Sequence, residues 1–169
     1  MLINTSIQSR STSSQMYAYC ISFLRASIEQ AKIIYENQEC STWPDASVVL
    51  FLWSHSVELF YKAIIIHLNG NLECNHDLFR LAKEFNRVYP NSTSFDHPFK
   101  FEFIGSFTLS EISKHIEKSI KPSILYRYPA GAKGKSSSGI YAYEPLGMLK
   151  KMQEYSIVFE KVATEIDLA

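Results

Sequence analysis

Apolar residues recur every three or four positions over residues 14–37, where Tyr17, Cys20, Ile21, Leu24, Ile28, Ala31 and Ile34 define one face of a long amphipathic helix. Ser41, Thr42 and Pro44 supply cap and first-turn chemistry for a second helix over 44–69, and Asn69-Gly70 supplies its stop. Val48 to Trp53 is apolar all round, which marks this helix as central and covered on most sides. A third helix is predicted to open at Asn75-His76-Asp77 with Asn75 as its cap. It carries Leu78, Ala82, Phe85 and Val88 on one side and stops at Pro90. Residues 91–107 read as irregular and Phe-rich, with Phe99, Phe101 and Phe103 alternating as in a short strand. Thr108 and Glu111 form a capping box ahead of Leu109, Ile112, Ile116 and Ile120, a fourth helix that Pro122 ends. Residues 124–128 and 140–143 are β-prone and flank a Gly/Ser/Lys loop at 129–139. Glu144-Pro145 then opens a last helix bearing Leu149, Met152, Phe159, Ala163 and Ile166. The order predicts an all-α fold, an up-and-down bundle of four to five helices with a loop or small hairpin insert before the last one. Residues 14–169 read as one domain, preceded by a flexible N-terminal segment over 1–13.

Composition narrows the function classes. With 169 residues, 46% hydrophobic and 20% charged, the chain is of one-domain size and globular. Its 17 Lys+Arg balance 17 Asp+Glu, which argues against a globally basic binder of duplex DNA. The neutral total hides an asymmetry: residues 98–143 hold seven Lys/Arg against three Glu, 7 − 3 = +4. Tyr126, Tyr128, Tyr141 and Tyr143 share that region, and basic groups interleaved with rings suit single-stranded RNA. The other reading is a solvated basic face with tyrosines packing the insert. Three cysteines without a CxxC pair fit a reducing compartment, and no signal peptide is apparent, so a cytoplasmic location is expected. Val48 to Leu68 is long enough to span a bilayer. His55, Glu58, Lys62 and His67 interrupt it, and a buried core helix without membrane contact is the better reading.

On the second helix His55, Glu58 and Lys62 sit three and four residues apart and project toward one side. They make either an ion pair with a hydrogen-bonded histidine at the edge of the core, or a cluster that binds a phosphate, a base or a partner helix. His76-Asp77 offers a helix-start carboxylate and a neighbouring imidazole. Cys74 and His76 lack the paired spacing of a zinc site, no phosphate-loop, dinucleotide or nucleophile-elbow motif occurs, and neither a metal nor a cofactor is expected.

Val57-Glu58-Leu59-Phe60-Tyr61-Lys62-Ala63, Gly70 and His76-Asp77-Leu78 with Leu81 resemble the signature of HEPN (higher eukaryotes and prokaryotes nucleotide-binding) domains, and Arg127-Tyr128-Pro129 resembles their C-terminal half. The resemblance implies an all-α bundle, a homodimer, and work in RNA cleavage, toxin–antitoxin pairs or phage defence, with nucleotide binding in some members. Catalytic members carry an Arg, four to six residues and a His. Here no Arg is followed by His at that distance, and His115 is the last histidine. The expected ligand-binding residues are Glu58, Lys62, His76, Asp77, Arg127, Tyr128, Lys133 and Lys135, with Arg127, His76 and His55 as the candidates for any catalysis. Three functions follow: a non-catalytic module binding RNA, a nucleotide or a cognate protein; a divergent metal-independent ribonuclease; and a protein-interaction bundle.

Overall fold

A computed structural model describes residues 5–72, 76–98 and 143–168. The expected 99–103 strand, the 108–121 helix and the 124–143 insert lie wholly or almost wholly outside the described residues. A single turn, α1 (Thr5–Gln8), precedes α2 (Thr12–Glu36), α3 (Trp43–Asn69), α4 (Leu78–Val88) and α5 (Pro145–Glu165). The described fold is all-helical, a helical bundle.

The local reasons for these boundaries are visible in the caps. Ser11 accepts from the Ser14 amide, so α2 starts two residues earlier than the apolar pattern suggests. At the start of α3 the Asp45 carboxylate accepts from the Thr42 backbone N–H at 2.8 Å and from its hydroxyl at 2.6 Å, while Pro44 occupies the first turn. Gly70 ends the helix at φ 70°, the left-handed conformation that glycine adopts without a Cβ penalty. The third helix is capped by Asp77 rather than Asn75: its carboxylate accepts from the Phe79 and Arg80 amides. Glu144 does the same for Leu146 and Gly147 at the head of α5.

Helix α3 is the centre of the bundle. Ser27 Oγ donates to the Val49 carbonyl at 2.9 Å and Ser56 Oγ to the Cys20 carbonyl at 2.9 Å, so α2 and α3 run antiparallel with small residues letting the backbones approach. Helix α5 packs on α2 and α3, and α4 on α3. Phe60, fully buried, stacks on Phe159 with ring centroids 3.9 Å apart and lies 5.8–5.9 Å from Phe85 and Phe95. The apolar run at the start of α3 is covered unevenly: Val49, Leu50 and Trp53 are buried, whereas Val48 is 49% exposed. Helix α3 is long and apolar enough to cross a membrane, and 72% of its most apolar window is buried inside the bundle.

Among the described residues, three carboxyls bind their protons more weakly in the fold than in the unfolded chain. Hydrogen bonds from Thr42 hold Asp45 below its ordinary value, Arg87 does so for Glu84, and the Tyr89 hydroxyl does so for Glu165. Their contribution is present at neutral pH and is lost as the pH falls through about 4 and below. Asp45→Asn should lower the melting temperature at pH 7 and make the acid-side decline shallower, measured by thermal circular dichroism from neutral to acid pH. An unchanged decline would show that the box contributes nothing.

Candidate functional site

Glu58 and Lys62 lie one turn apart on α3 and are buried despite their charge, with side chains only 5% and 9% exposed. Lys62 Nζ donates to Glu58 Oε1 at 2.8 Å. The same oxygen meets His76 Nδ1 at 2.9 Å. Gly70 ends α3 and the Asp77 cap starts α4 immediately after His76, whose imidazole stands against α3. An ionised carboxylate only accepts, which requires Nδ1 to carry the hydrogen. The His76 side chain is 70% exposed, so Nε2 is left for solvent. In the neutral ring Nε2 offers a lone pair; in the protonated ring it becomes a donor.

The other expected site residues are distributed differently. Asp77 spends its carboxylate on the α4 N-terminus, where the helix dipole also favours it. His55 packs its ring edge-on to Phe23 of α2 at 4.7 Å and parallel to Phe51 at 6.0 Å. His67 donates from Nε2 to the Ile166 carbonyl at 2.8 Å, tying the end of α3 to the end of α5. Arg127, Tyr128, Lys133 and Lys135 lie outside the described residues. Among the described residues no three His, Cys, Asp or Glu side chains converge as a metal would require. Burial pushes the Cys20 thiol up to about 12, which makes it a packing group rather than a nucleophile.

A second polar chain escaped sequence reasoning. The Tyr61 hydroxyl lies 2.6 Å from His97 Nδ1, and His97 Nε2 lies 3.1 Å from Asn86 Oδ1. The amide oxygen accepts from Nε2–H, so Nδ1 of the neutral ring accepts from Tyr61. Burial raises Tyr61 well above the ordinary tyrosine value and keeps it a donor. Tyr61 and His97 are 36 residues apart, and no spacing rule connects them. Their bond, with that of Tyr155 to the Asp96 carbonyl at 2.6 Å, fastens residues 95–98 to the bundle. At the other end of α3 a cleft of 290 Å³ is lined by Ile34, Thr42, Trp43, Ala46, Tyr143 and Pro145.

Compared with protein-family models, curated proteins and solved structures, the chain matches none at a significant level.

The energetics of the cluster follow from burial. Removing one member of a buried ion pair leaves the other charge uncompensated, at a cost of about 3–5 kcal/mol, whereas replacing both by apolar groups is often neutral or stabilising. Lys62→Met should therefore destabilise strongly, and Glu58→Leu with Lys62→Met should recover most or all of the loss. Urea unfolding of the two single variants and the double variant checks this; strictly additive losses would contradict it.

Proposed function

We propose that the chain is a HEPN-like helical module that binds RNA or a nucleotide without cleaving it. The observation that carries the reading is the shared Glu58 carboxylate. Three residues of the resembling motif, spread over 18 positions of chain, meet at one oxygen and hold an exposed imidazole in a defined orientation. Two neighbours extend the surface: Phe79, 48% exposed, and the exposed Arg80 lie on the first turn of α4 directly after the cap. A ring that stacks a base, a guanidinium that pairs with a phosphate and a His Nε2 that meets a ribose hydroxyl or phosphate together suit a single-stranded nucleotide. The all-α architecture agrees with the resemblance. The missing Arg–His spacing removes the group that would move a proton in the catalytic members. The setting that fits is cytoplasmic, alongside a toxin–antitoxin or defence partner.

Fluorescence titration with a labelled single-stranded RNA at two salt concentrations tests the reading. Binding should weaken at the higher salt. It should fall about tenfold or more in Phe79→Ala, on the scale of a base–aromatic stack of about 1–3 kcal/mol. His76→Ala and Arg80→Ala should also weaken it, and the RNA should remain intact in metal-free buffer. Absence of binding at both salts would overturn the proposal, and cleavage abolished by His76→Ala would replace it with the ribonuclease reading.

A further inference from the structure

The Glu58 carboxylate treats the two forms of the His76 ring alike. Nδ1 lies 2.9 Å from Glu58 Oε1 and carries its hydrogen whether the ring is neutral or protonated, so the ring keeps one orientation in both. What changes on protonation is Nε2, at the outer edge of a side chain that is 70% exposed. In the neutral ring Nε2 presents a lone pair, which meets a phosphate oxygen acceptor against acceptor. In the imidazolium it presents a donor.

The charge of that imidazolium is not cancelled from within the site. Lys62 Nζ lies 2.8 Å from the same Glu58 oxygen, so the carboxylate is already matched by a cation. Helix α4 packs on α3 and on the uncharged turn Ser92–Ser94. Among the described residues, the charged groups on the turns of α3 and α4 that meet at the ring are Glu58, Lys62, Asp77 and Arg80. Two anions and two cations leave the site at −2 + 2 = 0 with a neutral ring, and one added proton takes it to +1. A single proton therefore changes both the donor and the net charge, and it does so with no rearrangement of the ring.

We propose that His76 is a proton-gated phosphate contact, which grips a phosphodiester of single-stranded RNA through Nε2–H of the imidazolium and loosens its hold when that proton leaves. On the RNA-binding reading, on which this rests, the contact gives binding a direction with pH. RNA prefers the protonated ring, so by reciprocity it raises the affinity of the ring for its proton, and binding takes a proton up. Affinity rises as the pH falls through the histidine range. The carboxyls of Asp45, Glu84 and Glu165, held below their ordinary values, titrate under that range, so the fold keeps their contribution while the ring changes state.

An oligouridylate with hydroxyl ends and a pH-insensitive dye is the probe, because neither its bases nor its diesters titrate in this range, whereas a terminal phosphate does. At constant salt its affinity should fall about tenfold or more from about pH 5.5 to about pH 8, on the scale of one hydrogen bond to a charged group. His76→Asn, which keeps an amide beside Glu58 and cannot titrate, should flatten the profile with unchanged helical circular dichroism. His67→Asn, which removes the ring bonded to the Ile166 carbonyl, should keep the slope. Calorimetric titration in two buffers of different ionisation enthalpy should show proton uptake on binding by the unaltered chain and almost none by His76→Asn. A level profile, a slope that His76→Asn retains, or binding without proton uptake would each overturn the proposal and leave RNA binding standing. No binding of the oligouridylate at either pH would overturn both.

Discussion

The burial of α3 is the constraint on which the rest of the bundle depends. A helix of 27 residues with Val49, Trp53, Val57, Phe60, Ile64 and Ile65 buried has to be covered over most of its circumference, and α2, α4 and α5 are arranged to do so. Phe60 illustrates the requirement, because its ring receives α5 through Phe159, α4 through Phe85 and the following segment through Phe95. Small polar residues on both helices solve the closest approach by bonding carbonyls across the interface: Ser27 of α2 bonds that of Val49, and Ser56 of α3 returns the bond to Cys20. At this closest approach the two serine hydroxyls are buried with their partners.

Glu58 and Lys62 follow from the same constraint. Both stand on the buried helix, and an unpaired charge there is costly, so each neutralises the other across one turn. The pair leaves the carboxylate with unused acceptor capacity, and His76 takes it. A structural ion pair thereby becomes an anchor for an exposed imidazole. That imidazole directly precedes Asp77, the residue that caps α4.

Much of this was legible in the residues. The starts of α3 and α5 fall within a residue or two of the positions marked by Thr42, Pro44 and Glu144-Pro145, because caps and prolines act locally. The Glu58–Lys62 pair follows from helical spacing alone. The cap of α4 did not follow: Asn75 and Asp77 are equally able acceptors, and only the path of the chain decides between them. His55 shares a helix side with Glu58 by angle, yet its ring lies against Phe23, a neighbour that belongs to another helix. The Tyr61–His97 bond and the sharing of one oxygen by Lys62 and His76 are tertiary and carry no sequence period. On α2 the row Met16, Tyr19, Phe23, Ala26, Gln30 and Ile33 has the same spacing as the row Cys20, Leu24, Ser27, Ala31 and Ile34, so periodicity alone does not say which is the more deeply buried. The structure does, and it leaves Tyr19, Ala26 and Ile33 outside.

The account rests on Glu58 holding His76 through Nδ1 and leaving Nε2 to solvent. Nitrogen-15 NMR of the histidine side chains reads this directly, with His76 assigned by the loss of its signals in His76→Ala. At a pH where the ring is neutral, the account predicts that His76 carries its hydrogen on Nδ1 and shifts toward the ordinary mixture of tautomers in Glu58→Gln. A His76 ring that carries its hydrogen on Nε2, or that is indifferent to Glu58→Gln, would contradict it.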